Sequence, residues 1–171
     1  MLHCITLAAF FASPVMAAKL FVGGHGSFGA TFSFAGFSIG PPNGSTVFGA
    51  GPNYMALSTD KSRLYVANGG GQDASAGVPG VTALSVSWPA TGPPTLLPLG
   101  FVAVDDPCHV AIHPSGAWVF SASYSAGTIS ISAVDDAGGL TPAVSYAAAA
   151  NAHQVVFSAS GVIVCAFDRA V

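Results

Sequence analysis

Charge is what this sequence most lacks. Only 6 % of its 171 residues are Asp, Glu, Lys or Arg, against roughly 25 % in an ordinary soluble domain. There is no glutamate at all. Four Lys and Arg stand against seven Asp, a net charge of −3, and they form no basic stripe. Binding to nucleic acid by neutralising phosphates is therefore excluded as a principal role. After the first residues, no stretch approaches the ~20 consecutive apolar residues of a membrane helix. Cysteine is scarce too: Cys4, Cys108 and Cys165 are the complete set. Cys108 and Cys165 can pair in an oxidising compartment, but they occupy different points of the repeat described below, so buried thiols are the expected state.

What the chain has instead is glycine (21) and proline (12), with many Ser and Thr. That composition suits a β protein with many tight turns. Residues 1–18 read as a secretory signal. Ile5 to Ala12 is a short apolar stretch, and Val15-Met16-Ala17 resembles a small-residue cleavage site, although no Lys or Arg precedes the stretch. The alternative reading is an N-terminal strand. With a signal, Lys19-Leu20-Phe21-Val22 opens the mature chain, Cys4 is lost and the location is extracellular. Asn43-Gly44-Ser45 is then a glycosylation acceptor in a Pro/Gly loop, with Asn43 as the site.

The most informative feature is a repeat. The segment Gly51 to Asn68 aligns without a gap with Asp106 to Ser123, so that Tyr54 falls on His109, 55 residues on. A third copy, Ala152 to Phe167, places Gln154 on His109, 45 residues on. The tail of a fourth, Leu20-Phe21-Val22-Gly23-Gly24, lies 44 residues before Leu64. Periods of roughly 40 to 50 residues with β patterning indicate propeller blades. The copy from His109 shows the unit best. His109–His113 is a short strand, Pro114-Ser115-Gly116 turns, and Trp118–Tyr124 is the next strand. Thr128-Ile129-Ser130-Ile131-Ser132 alternates strictly, and Asp135-Asp136-Ala137-Gly138-Gly139 turns again. Leu140 to Tyr146 supplies an outer fourth strand, where Pro142 is tolerated. Trp118 and Phe120 share a strand face and are expected in the core between blades. The stretch from Gly69 to Gly80 reads as an exposed loop, and Pro89 to Pro98 as a connection between blades. The expected fold is all-β, a β-propeller of four-stranded antiparallel blades. Three to three and a half blades are present over residues 19–171, with no division into independent domains. Such an arc has uncovered apolar faces, through which self-association is expected.

Several motifs resolve into bland readings. Gly24-His25-Gly26-Ser27-Phe28-Gly29 fits G-x-G-x-x-G, but Ala30 to Phe34 alternates as a strand and the first acid is Asp60. It is a β-turn and not a dinucleotide site. His109 and His113 lie about 13 Å apart on a strand at ~3.3 Å per residue, too far to share one ion. No metal or other cofactor is expected. Asp105-Asp106 and Asp135-Asp136 point to opposite faces of an extended chain and are turn residues.

Pro107-x-His109-Val110-Ala111-Ile112-His113-Pro114-Ser115-Gly116-x-Trp118-Val119-Phe120, followed by Asp135-x-x-Gly138-Gly139-Leu140, resembles the lactonase family of seven-bladed propellers. That family includes 6-phosphogluconolactonase of the bacterial type and fungal carboxy-cis,cis-muconate cyclase. Ala152-His153-Gln154-Val155 is similar to a stretch the family usually writes His-Ala-His-Gln-Val, with Asn151 standing where the first His is expected. The resemblance implies that His153 faces the central channel as the catalytic residue. It also implies a small-molecule carboxylate or lactone as the substrate. The family's further site residues, an Arg in Gly-Pro-Arg-His and a Glu after an Asn, do not occur in this sequence. His109, at the start of its strand, is a candidate substrate contact. Asp168 and Arg169 are either a substrate-binding pair at the channel end or a solvated pair. The rival reading is a non-catalytic secreted module that binds glycans or protein partners. A membrane barrel is disfavoured by polar turns at blade spacing.

Overall fold

The computed structural model describes residues 8–10, 18–22, 28–35, 38–47, 51–69, 77–90, 94–148 and 150–168. Side chains are described for 51–69, 77–90, 94–148 and 150–162. Four antiparallel meanders follow one another along the chain. The first sheet holds β1 (Ala8–Phe10), β2 (Ala18–Val22), β3 (Phe28–Ala35) and β4 (Ser38–Val47). The second holds β5 (Pro52–Leu57), β6 (Arg63–Asn68), β7 (Gly80–Ser87) and β8 (Thr95–Ala103). The third holds β9 (Pro107–Ile112), β10 (Trp118–Ser123), β11 (Thr128–Ala133) and β12 (Val144–Ala147). The last pairs β13 (Ala152–Phe157) with β14 (Ile163–Asp168). The arc has the expected three and a half blades, with an edge strand of the first sheet, Ala8–Phe10, drawn from the stretch 1–18.

Local chemistry makes these strands. In blade 3 the alternating run from Thr128 pairs with β10 from Trp118↔Ala133 to Ser123↔Thr128 without a break. The β9–β10 hairpin closes by His113 N–H donating to the Trp118 carbonyl at 2.9 Å. The Asp135–Gly139 turn is held by its own aspartate: Gly139 N–H donates to Asp135 Oδ1 at 2.8 Å, and Gly138, at φ +90°, donates to the Asp135 carbonyl at 2.9 Å. Asp135 is thus a turn residue, as read from sequence.

Stability comes from blade stacking. β10 is covered on both faces, so it reads as a continuous buried run and not as an alternating one. Its Val119 packs with Val110, Tyr65, Ala67, Val81 and Ala83 between blades 2 and 3. Its Phe120 and Ala122 pack with Val155 between blades 3 and 4. Met55, Leu64, Val66, Leu84 and Val86 form a third cluster on the other face of blade 2. Each fully buried aliphatic or aromatic side chain contributes about 1.5–3 kcal/mol.

Four expectations need correction. Trp118 is not core: it is 46 % exposed, while Phe120 is 7 % exposed. Both share one face, but Trp118 opens β10 at the hairpin end, beyond the level at which Phe157 closes that face against Phe120 and His113. Pro89 to Pro98 does not join two blades. Its end belongs to β8, the outer strand of blade 2, where Pro98 pairs with Leu84 beside a register shift. An edge strand accepts a residue that cannot donate, and the blades are joined at Val104–Asp106 instead. The outer strand of blade 3 starts at Val144 and not at Leu140, which instead forms an isolated bridge to Val134. Asn43 lies in β4 and not in a loop. It falls at a register shift, since its neighbours Pro42 and Gly44 pair with Phe32 and Thr31. Residues 23–27, most of the Gly69–Gly80 loop and Arg169 lie outside the described residues. Ala8–Phe10 pairs with β2 through Ala8↔Phe21 to Phe10↔Lys19.

Candidate functional site

The innermost strands of blades 2, 3 and 4 lie side by side, β9 between β5 and β13. Together they wall an open groove of ≈ 540 Å³. The repeat now acquires a spatial meaning. Tyr54, His109 and Gln154, which occupy the same position in three copies, all line this groove. Sequence reasoning singled out only His109 of the three. The signal for the other two was the alignment itself, since equivalent positions of successive blades face the same axis. Met55, Val110, Ile112, Val155 and Phe157 make much of the remaining wall.

His109 is the best-defined polar group of the groove. The residue is 6 % exposed. Nδ1 accepts the backbone N–H of Val155 at 3.5 Å, a bond from β9 to β13. The Tyr54 ring packs against it from β5, centroid to centroid at 4.0 Å and tilted by 39°. Burial pushes the imidazole down to about 4, helped by the charge of neighbouring His153. At neutral pH His109 is therefore uncharged.

His153 stands at the rim, exposed to solvent, with its ring edge-on to Tyr124 at 5.8 Å. The groove wall itself takes Gln154, the next residue. The strand carries a register shift between Ala152 and Val155, so alternation does not run regularly through His153. Beneath it, the Cys108 thiol donates to the carbonyls of Ala122 at 3.5 Å and His153 at 3.4 Å, tying β9 to β13. Asn151 has φ +62° at the entry to β13. Asparagine is among the residues that tolerate this left-handed conformation. Asp168 pairs by backbone with Ala152, which places it at the same end of blade 4 as His153. Asp106, at φ +38°, accepts from Ser125 Oγ at 3.2 Å near that end of blade 3. Asn53 donates to the Pro107 carbonyl at 3.4 Å across blades 2 and 3.

His113 belongs to the opposite end. Its Nε2 bonds the Gly161 carbonyl at 3.0 Å and its Nδ1 meets Ser115 Oγ at 2.7 Å. It clasps the turns of blades 3 and 4 and is separate from His109. Among the described residues no group of three His, Cys, Asp or Glu is placed to hold a metal ion.

The family model for Lactonase, 7-bladed beta-propeller, matches residues 30–169. No curated protein matches the sequence. Among solved structures, a Bacteroides fragilis protein named as a 6-phosphogluconolactonase superposes with a TM-score of 0.69 at 20 % identity, over 88 % of this chain and 45 % of its own. The periplasmic gluconolactonase of Pseudomonas aeruginosa gives 0.67 at 23 %, over 84 % of this chain and 45 % of its own. A Bacteroides uniformis protein, also named as a 6-phosphogluconolactonase, gives 0.61 at 27 %, over 78 % and 40 %. The chain thus spans less than half the length of these relatives. With its meandering blades, its groove of repeat-equivalent residues and this match over most of its length, the chain belongs to the seven-bladed β-propeller lactonase family.

Proposed function

We propose that this protein acts on a small lactone, opening it or forming it, within the channel to which Tyr54, His109 and Gln154 contribute. The observation that carries the reading is the convergence of these three residues on one groove in a chain of the lactonase family. Lactone hydrolysis needs a base to activate water and a donor for the oxygen that gains charge. His153, solvent-accessible at the rim, takes the proton of the attacking water in this proposal. The water oxygen bonds to the acyl carbon, the ring C–O bond breaks, and the proton passes to the departing alkoxide. In the alternative, lactone-forming reaction a substrate carboxylate adds to a carbon–carbon double bond and an acid delivers a proton to the adjacent carbon, as in the cyclisation of a carboxymuconate. A histidine can accept a proton in the first reaction or deliver one in the second. Asp168 and Arg169 are proposed, on their place in the sequence, as the groups that position a substrate carboxylate.

A sugar lactone is the favoured substrate class, since the solved relatives carry gluconolactonase names. An extracellular or periplasmic location accords with residues 1–18 as a signal and with the periplasmic relative. Glycosylation at Asn43 belongs to the same proposal. Purified protein offered 6-phosphogluconolactone, δ-gluconolactone and 3-carboxymuconate, with His153→Ala beside it, tests the reading. Turnover of one of them that falls at least a hundredfold in the variant supports it, a magnitude typical of losing a general base. Equal rates for wild type, variant and blank overturn it and leave the alternative, a secreted module that binds glycans or protein partners.

A further inference from the structure

Two histidines of the groove have their hydrogen-bonding state fixed by the fold: His113, whose two nitrogens are taken by Ser115 and Gly161, and His109, which has one nitrogen to spare. Neutral imidazole carries its hydrogen on one ring nitrogen and accepts on the other, and the partner of one nitrogen decides the state of the second. At His109 the partner is a backbone N–H, that of Val155, directed at Nδ1. An N–H cannot accept, so Nδ1 must be the unprotonated nitrogen and Nε2 must carry the hydrogen. No hydrogen bond among the described residues occupies Nε2. Nor is Nε2 among the sealed, unpartnered polar atoms, which are Ser123 Oγ and Thr128 Oγ1. It is therefore a donor that opens to the groove His109 lines. Tyr54 on β5 and His153 on β13 are the titratable groups that face it.

We propose that His109 is a tautomer-locked, uncharged donor whose Nε2–H binds the acyl oxygen of a lactone, and that the Tyr54 ring holds it in position. The inference rests on the lactone reading given above. It goes further by naming the group that receives the acyl oxygen, and by assigning it to blade 3 where the family motif points to His153 on blade 4. A neutral donor suits this task. An imidazolium would bind an opened carboxylate more tightly than a closed lactone, and product would be retained. An uncharged N–H gives a closed lactone a hydrogen bond while offering an opened carboxylate no charge to hold it. As the acyl oxygen gains charge on attack by water, the same N–H strengthens its bond without any proton changing hands.

The first arm of the test is spectroscopic and needs no activity. Imidazole ¹⁵N–¹H correlation spectra of the labelled protein, with His109→Gln to assign the signals, are recorded from pH 5 to 8. The expected result is an Nε2–H tautomer for His109 at every pH in that range. An Nδ1–H tautomer, or conversion to imidazolium near neutrality, overturns the proposal whatever the protein binds. The second arm measures affinity for δ-gluconolactone and for its opened form, gluconate. Wild type is expected to bind the lactone more tightly. His109→Leu should lose about three- to tenfold of that affinity, the worth of one neutral hydrogen bond, while His109→Gln, which keeps an N–H donor, recovers part of it. Unchanged lactone affinity in the folded Leu variant overturns the role of His109 and leaves the lactone reading standing. A locked tautomer with no lactone binding by wild type overturns the lactone reading itself, and the proposal with it.

Discussion

Replacing Gly161 by Ala probes how blade 4 is fastened to blade 3. Gly161 has φ +81°, and an added methyl carbon would stand 2.7 Å from His113 Nε2 and 2.9 Å from its Cε1. An L-residue in that backbone region costs about 1–2 kcal/mol. The imidazole cannot simply step aside. Its Nδ1 accepts the Ser115 N–H at 3.1 Å, and its ring packs T-shaped against Phe157 at 5.3 Å. Moving it breaks the Nε2–H bond to the Gly161 carbonyl at 3.0 Å, worth about 0.5–1.5 kcal/mol. The expected loss is about 2–3 kcal/mol from strain and the broken bond together. Gly116 supplies the control. Its φ is +74°, but no atom lies within 4 Å of an added methyl, so Gly116→Ala should cost the strain alone. Urea midpoints for both variants, with hydrogen exchange of the β13 amides, read the difference. In His113→Ala the additional cost of Gly161→Ala should disappear. Equal losses at the two glycines, or a Gly161→Ala cost that is unchanged without His113, would refute the clasp.

Other consequences follow from the same contacts. His109 sits near 4 when folded and near 6.5 when unfolded, so between those values the unfolded chain holds more protons. Its contribution is complete above about pH 6.5 and falls by about 3 kcal/mol as pH drops toward 4. His109→Gln should flatten that part of the stability–pH curve, and an unaltered slope would contradict the burial argument. Phe120→Ala removes a ring that is edge-on to Phe157 at 4.9 Å in the core between blades 3 and 4. A loss of about 3–5 kcal/mol is expected, read as a lowered melting temperature. Tyr65→Phe deletes the hydroxyl that donates to the buried Gly138 carbonyl at 3.2 Å. It should cost about 1–3 kcal/mol, and an unchanged urea midpoint would show that water replaces the bond.

Strands and turns were legible in the sequence because their causes are local. Thr128 to Ser132 alternates, and Asp135 with Gly138 and Gly139 can only turn. The repeat from Gly51, Asp106 and Ala152 then specifies blades, since similar β units of that length bury themselves only against one another. Trp118 and the Pro89–Pro98 stretch were misread because their fates depend on neighbours: how far the next blade covers a face, and whether a strand lies at an edge. The candidate site divides in the same way. Residue type and family motif pointed to His109 and His153 from the chain alone. Only tertiary structure put Tyr54, His109 and Gln154 on one wall, moved His153 to the rim beside Tyr124, and aimed the Val155 N–H at Nδ1 of His109. The physical reason is sequence separation. Alternation and turn chemistry act over a few residues, whereas a groove between blades is built from positions 45 and 55 residues apart whose meeting is decided by packing.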